Sequence, residues 1–158
     1  MSKGTSCAKA LNKWQERNDN QDPSEAKIIK LCCMIPLIEV MDGNTLSTLN
    51  KCEHLSLSSN GIDKMKPMPA LRNLKILSLS RNKIKRIGGL DEIGDTLEEL
   101  WLSYNVIDTL NGLHPCRKLK ILYLSNNKIT KWDEIDKLRD LPKIDKVVFT
   151  GNPIYSKD

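Results

Sequence analysis

Aromatic and histidine side chains are scarce in this sequence of 158 residues. It has three tryptophans, three tyrosines, one phenylalanine and two histidines. His54 and His114 stand in no nucleophile or metal-ligand motif, and Gly88-Gly89 lacks the lysine and serine of a phosphate-binding loop. Adjacent carboxylates such as Glu98-Glu99 are more simply interpreted as solvated. We therefore expect no enzymatic activity, no cofactor and no metal site.

Long hydrophobic runs are also missing. The start, Met1 to Trp14, contains no apolar core of a signal peptide, and no later run is long enough to span a bilayer. Hydrophobic residues make up 39% of the chain, which is ordinary for one domain with a continuous core. The sequence thus predicts a protein of the cytoplasm that does not enter a membrane.

What the sequence contains instead is one pattern repeated five times, with asparagines 22, 23, 22 and 25 residues apart. An apolar triplet spaced as L-x-x-L-x-L precedes each asparagine, and an isoleucine follows two residues later. The asparagines are Asn60, Asn82, Asn105, Asn127 and Asn152. The triplets are Cys52, Leu55, Leu57; Leu74, Leu77, Leu79; Leu97, Leu100, Leu102; Leu119, Leu122, Leu124; and Ile144, Val147, Phe149.

This period is the signature of a leucine-rich repeat. The two residues of each L-x-L pair point inward from a short strand, and successive strands stack in parallel. After each asparagine, apolar residues recur at every third position, which suits an extended or 3₁₀-like return rather than a long helix. The sequence predicts an α/β solenoid with short parallel strands on one face and 3₁₀ or short helical return segments on the other.

The five asparagines are expected to form a structural ladder in the turns that follow the strands. A carboxamide carries both donors and an acceptor, so it can pair with buried main-chain groups of both kinds. Loss of such a side chain should leave backbone groups unpaired, at a cost of about 1–3 kcal/mol each.

Two regions are expected along the chain: an N-terminal helical cap over residues 1–27 and a solenoid over residues 28–158. In the cap, Ser6 should begin a helix that runs through Asn18, and Asp22 with Pro23 and Glu25 marks a second helix start. The solenoid should comprise one degenerate coil and the five repeats. In the degenerate coil we assign Ile28, Leu31 and Cys33 to the strand triplet and Pro36 to the asparagine position.

The C-terminal end offers no comparable cover. Only six residues follow Asn152. The sequence therefore predicts that a C-terminal cap is missing and that the last coil has an exposed strand edge.

The five cysteines are expected to be structural. Cys33, Cys52 and Cys116 occupy positions where the pattern calls for leucine, so we interpret them as core residues. Cys7 and Cys32 have no partner at a zinc-binding spacing, and an odd number argues against a disulfide framework.

Function in such a solenoid should reside in the outward-facing strand residues, whose identity the repeat does not dictate. A cross-sheet packing role is the plain alternative, but the composition is that of a protein-binding hot spot. We call the predicted apolar cluster the sheet patch; it consists of Ile76, Trp101, Ile121, Tyr123 and Val148. The predicted rim is Lys75, Arg81, Glu98, Tyr104 and Lys120. Trp132 falls on the period of three and is expected in the core.

Charge gives a second indication. The formal net charge is +5, and positive side chains concentrate at Arg81, Lys83, Lys85 and Arg86. Such patches attract nucleic acid, anionic lipid or acidic protein surfaces. Because the sequence has no aromatic-interleaved motif for RNA, nucleic acid ranks below an acidic protein.

Several segments resemble the leucine-rich repeat light chains of axonemal outer-arm dynein. They are Thr96 to Asn105, Leu122 to Lys128 and Pro23 to Lys27, with support from Met34 to Pro36 and Leu55 to Asn60. The resemblance covers nearly the whole chain and extends to residues outside the repeat pattern.

The resemblance implies a non-catalytic subunit of a ciliary motor, located in the cytoplasm, the cytoskeleton and the axoneme. It would act as a monomer within a larger complex and bind the microtubule-binding stalk region of a dynein heavy chain through its sheet face. It would tune how the motor holds the microtubule, with tubulin as a possible direct contact. Members of this family continue beyond the last repeat and end in a helix. A scaffold for another intracellular partner, of the phosphatase-regulating or spliceosomal type, is the alternative.

Overall fold

A six-stranded parallel sheet runs the length of the computed structural model, which describes residues 4–155. Its strands are adjacent in chain order, so each coil of the solenoid contributes one strand. The strands are β1 (Ile28–Lys30), β2 (His54–Ser56), β3 (Ile76–Ser78), β4 (Glu99–Trp101), β5 (Ile121–Tyr123) and β6 (Lys146–Val148). The predicted α/β leucine-rich repeat solenoid is confirmed.

The middle residue of each strand points into the core. Leu55, Leu77, Leu100 and Leu122 lie opposite one another in the strand register and are fully buried. Leucines two residues later are buried with them, so the core is a continuous column of apolar side chains. This arrangement follows from the alternation of side chains along a strand.

The return segments between β2 and β5 run as turns and extended backbone, as the period of three predicts. Short helices occur in the outer coils, where α2 spans Gly43–Leu46 and α3 spans Trp132–Asp136. A 3₁₀ turn, Lys137–Asp140, follows α3 directly. A helix rises less per residue than extended chain, so the three extra residues of the 25-residue repeat are taken up by α3.

The N-terminal region packs its helix against the first coils. This helix, α1, spans Cys7–Arg17, and the Ser6 side chain accepts a hydrogen bond from the Lys9 backbone N–H at its start. Leu11 and Trp14 lie on its buried side. The second predicted helix start forms only a 3₁₀ turn, Pro23–Glu25, which the Asp22 side chain caps. Further 3₁₀ structure spans Pro153–Tyr155.

The triplet that we assigned to the degenerate coil is wrong by two residues. Ile29, not Leu31, lies opposite Leu55, and Ile28 is 56% exposed. Cys33 is exposed with a φ of 53°. Its backbone N–H donates to Ser58, so it occupies the position before the asparagine. The core residues of this coil are Ala26, Ile29 and Leu31.

Met34 therefore stands where the later coils have asparagine, and Pro36 does not occupy that position. The coil still rejoins the pattern at Ile38, whose backbone N–H donates to the Asn60 side chain. Between Met34 and Ile38 the chain has two residues more than the later coils have between their asparagine and isoleucine. Because of this insertion, residue spacing alone could not give the correct register of the first coil.

The other cysteines assigned to the core lie there. Cys52 and Cys116 are fully buried, and burial raises the pKa of these thiols to about 11 and about 12 respectively. Cys7 is also buried and its Sγ donates to the Val40 carbonyl oxygen at 3.4 Å.

Trp132 is not in the core, contrary to the sequence-based expectation. Its side chain is 52% exposed at the start of α3. The ring contacts Phe149 at a centroid distance of 6.2 Å and Tyr155 at 6.0 Å. It therefore covers the flank of the last coil, where Ile144, Val147 and Phe149 are only partly buried.

The division between cap and solenoid at residue 27 stays a prediction; β1 begins at Ile28, and the first coil also buries Ala26. Residues 1–3 and 156–158, which the predicted regions include, lie outside the described residues. Among residues 4–155, no helix has the length and apolar character to cross a membrane.

Candidate protein-binding surface

The outward side chains of the sheet form two rows that run across the strands. One row contains Ile28, His54, Ile76, Glu99, Ile121 and Lys146. The other contains Lys30, Ser56, Ser78, Trp101, Tyr123 and Val148. Neighbouring strands lie about 4.8 Å apart, so the register brings all five residues of the sheet patch onto β3, β4, β5 and β6.

The centre of the sheet patch is an aromatic group. Trp101 and Tyr123 meet edge to face with ring centroids 5.8 Å apart. The Trp101 ring also contacts the His54 ring, with centroids 5.7 Å apart, although β3 lies between their strands β2 and β4. The indole thus leans across β3, where the small Ser78 leaves room and is itself 3% exposed.

A hydrogen bond fixes the orientation of the indole. Trp101 Nε1 donates to Glu99 Oε2 at 3.1 Å. Both residues lie on β4 and are half-buried. The tryptophan is therefore held in one position before any partner binds, which lowers the entropy that binding would cost.

His54 contributes to the patch but does not appear in its sequence-based definition. Burial lowers the pKa of its imidazole, the positive charge of Lys30 adds to this effect, and Glu99 opposes it. Its Nε2 atom is buried without a hydrogen-bond partner among the described residues. The sequence contained a signal for this residue. His54 directly precedes the inward Leu55, just as Ile76 of the sheet patch directly precedes the inward Leu77.

The lysines of the predicted rim are paired with acids. Lys75 Nζ lies 3.1 Å from Glu53, and Lys120 Nζ lies 2.7 Å from Glu98. The Lys120 hydrogen bond lowers the pKa of Glu98, and the same bond raises the pKa of Lys120. Glu53, Lys75, Glu98 and Lys120 come from successive coils, so this margin of the sheet is a ladder of alternating charge.

The opposite margin carries the remaining rim residues. The Arg81 guanidinium lies over the Tyr104 ring, 4.1 Å from its centroid. Both residues have a positive φ, 56° and 59°, at the position before the asparagine of their coils. Lys146 likewise lies over Tyr123 at 5.4 Å. Such cation–π contacts contribute about 0.5–1 kcal/mol at exposed sites.

The asparagines bind each coil to the preceding one. In Asn105, the side-chain oxygen accepts from the Ile84 N–H at 3.0 Å, and the amide nitrogen donates to the carbonyls of Leu79 and Leu102. The same three kinds of bond recur at Asn60, Asn82, Asn127 and Asn152. Aspartate would lack the donor, and serine would not reach both sides.

Within residues 4–155, no group of three or more histidine, cysteine or acidic side chains is arranged to hold a metal ion. A rigid aromatic centre surrounded by aliphatic, serine and basic side chains is suited to contact with another protein.

Comparison with known proteins identifies the repeats. A Leucine-rich repeat family model matches residues 30–122, and a second Leucine Rich Repeat model matches residues 118–138. The solved internalin C2 of Listeria monocytogenes has a similar fold, with a TM-score of 0.60 and 29% identity. It aligns with 69% of this chain and 46% of its own.

Two curated relatives are much more similar in sequence. The Dynein axonemal light chain 1 of Ciona intestinalis is 60% identical over 157 residues, and that of Bos taurus is 59% identical over 157 residues. Each match covers 99% of this chain and 82% of the relative. The chain belongs to the axonemal dynein light chain 1 family.

Membership in the axonemal dynein light chain 1 family confirms the resemblance found in the sequence. It also confirms the expected location in the cytoskeleton of the ciliary axoneme. The family is built on leucine-rich repeats, a scaffold that is generally non-catalytic. Of the alternatives that the sequence left open, the dynein light chain is therefore the one supported.

Proposed function

We propose that this chain is a non-catalytic light chain of axonemal outer-arm dynein that binds the microtubule-binding stalk region of a heavy chain through the sheet patch. Binding there would tune how the motor holds the microtubule. The observation that carries this proposal is the partly exposed Trp101–Tyr123 pair at the centre of the sheet, in which a hydrogen bond to Glu99 orients the indole.

The energetics favour a contact centred on these two rings. Tryptophan and tyrosine dominate binding hot spots because they bury a large area at a small cost in side-chain entropy. Ile76, Ile121 and Val148 extend the apolar surface on both sides. The serines beside the rings leave space for a helix or loop of the heavy chain.

The residues of the rim should contribute unequally to heavy-chain binding. Lys75 and Lys120 already pair with Glu53 and Glu98, so recruiting them for a partner would first break those contacts. Arg81 lies over the ring of Tyr104 and has no acid partner among the described residues. We expect Arg81 and Tyr104 to matter more for heavy-chain binding than the two lysines.

Direct contact with tubulin is a further part of the proposal. The formal net charge of +5 would favour approach to an acidic surface such as that of a microtubule. This effect should weaken as salt is raised, whereas the apolar contact at the sheet patch should not.

The test is binding of this chain to a recombinant stalk microtubule-binding domain of an outer-arm heavy chain. Trp101→Ala should weaken the Kd by about 30-fold or more, as expected for a hot-spot residue. Trp132→Ala is the matched control, because it removes an exposed tryptophan from α3 rather than from the sheet. Its Kd should stay within about twofold of the wild type.

Equal losses in the two variants would contradict the sheet-face assignment. Failure of the folded wild-type chain to bind, beside a relative of the family that does bind, would contradict the heavy-chain proposal for this chain. The regulatory part has its own readout: adding saturating chain should change the microtubule affinity of the stalk domain, and an unchanged affinity would refute it.

A further inference from the structure

Positive charge is distributed very unevenly along this chain. The 27 residues from Lys64 to Leu90 contain eight lysines and arginines and no aspartate or glutamate. The whole sequence has 25 basic and 20 acidic side chains. The stretch therefore carries a net charge of +8, which exceeds the +5 of the whole chain, and the fold determines where its charges lie.

Five of these cations surround one groove, formed by the return segments of two neighbouring coils, with Val106 of the next coil at one side. The groove has a volume of about 570 Å³, within the range of about 300–1,000 Å³ typical of ligand sites. Its basic residues are Lys64, Lys66, Lys83, Lys85 and Arg86. Asp63 is the one acid among the described residues that line it.

Apolar side chains form the floor of the groove. Met65 is 9% exposed and Ile87 is 5% exposed, while Val106 at one side is 39% exposed. The basic side chains are exposed around them. The period of three produces this arrangement. Every third residue of a return segment, such as Met65 or Ile87, points inward, and the basic residues between these positions point outward.

Stacking of the coils places the two sets of cations side by side. The Lys83 backbone N–H donates to the Ile62 carbonyl at 2.8 Å, so the segment that starts at Lys83 runs alongside the segment that contains Lys64 and Lys66. Like charges brought together in this way repel one another. A ligand that carries negative charge would relieve that repulsion.

These cations also have no ion-pair partner within the described part of the chain. None of the five forms an ion pair with any residue between 4 and 155. On the margin of the sheet, by contrast, Lys75 and Lys120 each meet a glutamate of the preceding coil. The same solenoid thus neutralises its charges in one place and leaves them available in another.

We infer that this groove binds an acidic peptide segment of a partner protein, with glutamate or aspartate side chains at the basic rim and an aliphatic side chain on the apolar floor. The inference is independent of heavy-chain binding, because the groove belongs to the return segments and the sheet patch belongs to the strands. Both surfaces can be occupied at once, which would let one chain hold two partners.

The lining favours a peptide over the other polyanions. Single-stranded nucleic acid is usually held by aromatic side chains that stack on its bases, and the residues that line the groove are lysine, arginine, aspartate, methionine, isoleucine, valine and glycine. Insertion into a lipid surface needs projecting apolar side chains, whereas Met65 and Ile87 lie beneath the cations.

Gly88 provides a precise means of testing the site. A Cβ built on Gly88 would have no other heavy atom within 4 Å, and its backbone is outside the left-handed region. Gly88→Glu should therefore fold normally and place a carboxylate in the groove. Gly88→Gln is the matched control, with nearly the same shape and no charge.

The experiment measures binding of a fluorescein-labelled dodecapeptide of glutamates with one central leucine, by fluorescence anisotropy at low salt. The triple variant Lys83→Gln, Lys85→Gln, Arg86→Gln should weaken the Kd by at least about tenfold. Gly88→Glu should also weaken it, and Gly88→Gln should stay within about twofold of the wild type. A peptide with glutamine in place of glutamate should not bind.

A second triple variant controls for net charge. Lys9→Gln, Arg117→Gln, Lys143→Gln removes the same charge from exposed positions outside the groove. An equal loss in this variant would overturn the assigned site, as would full binding by the first triple variant. Tighter binding of single-stranded DNA or of phosphatidylserine vesicles than of the peptide, lost in the first triple variant, would overturn the assigned ligand.

Discussion

Trp101 and Tyr123 lie on neighbouring strands with their ring planes at 62° and their centroids 5.8 Å apart. Each ring also makes a second contact. The Trp101 ring meets the ring of His54, and the Lys146 ammonium lies over the ring of Tyr123. The sheet therefore presents a connected aromatic surface rather than two independent side chains.

Replacement of Trp101 should separate binding from stability. The side chain is half-buried, and its edge-to-face contacts are each worth about 0.5–1.5 kcal/mol beyond area burial. We expect Trp101→Ala to lower the free energy of unfolding by about 1–2 kcal/mol, well below the cost of emptying a core position. Urea denaturation measures this value. A loss above about 4 kcal/mol would show that Trp101 acts as a core residue.

Replacement of Asn127 should have a larger effect on stability. Its side chain is 3% exposed, accepts from the Ile107 N–H and donates to the carbonyls of Leu102 and Leu124. Asn127→Ala leaves these buried groups unpaired, so it should cost at least about 3 kcal/mol. Urea denaturation is again the measurement.

Asn73→Ala is the control for that variant. Asn73 is exposed and donates one hydrogen bond, to the Asn50 carbonyl at 2.8 Å. Its loss should cost no more than about 1 kcal/mol. Similar costs for Asn73→Ala and Asn127→Ala would contradict the role given to the asparagine ladder.

Glu134 should make stability depend on acid pH. Burial would raise the pKa of this carboxyl, but hydrogen bonds from Lys137, the Leu110 N–H and Thr109 together lower it below the ordinary 4.5. The stabilisation is therefore present above pH 4.5 and is lost as pH falls through the folded-state pKa.

We expect Glu134→Gln to be less stable than wild type by about 1–2 kcal/mol at pH 7. The difference should shrink below pH 4.5, and denaturation curves between pH 3 and pH 7 measure it. A difference that does not change with pH would rule out the carboxylate as its source.

His54 should respond in a different pH range. Burial first, and then the charge of Lys30, lower the pKa of its imidazole below the ordinary 6.5. The unfolded chain therefore binds the proton more readily, so stability falls as pH drops below 6.5 and levels off below the folded-state pKa.

His54→Phe should remove this dependence while keeping an aromatic ring beside Trp101. It should also remove the buried Nε2 atom, which has no hydrogen-bond partner in the described part of the chain. Thermal melts at pH 7.5 and pH 5.5 provide the comparison. The same drop in Tm for both proteins would assign the dependence to other groups.

The repeat pattern was sufficient to predict the inward leucines and the parallel sheet, because a strict spacing leaves one register that buries Leu77 and Leu79 together. It failed at Cys33, because the two extra residues before Ile38 allow a second, equally apolar alignment. It failed at Trp132, because the helix α3 breaks the period of three that governs the other return segments.

The ion pairs between neighbouring coils could not be predicted from the sequence either. Glu53 and Lys75 are 22 residues apart in the chain, and only the stacking of coils brings them to within 3.1 Å of each other. The groove around Lys83 and Met65 likewise depends on two coils at once. Its cations were visible in the sequence, but the apolar floor between them was not.

Two of the side-chain bonds of each ladder asparagine reach back 20 to 29 residues to the coil before it. A coil can therefore complete its turn only when the coil before it is folded. Folding should thus proceed from one coil to the next along the chain. Opening then starts at the ends, and amide hydrogens near Asn82 and Asn105 should exchange with solvent more slowly than those near Asn152.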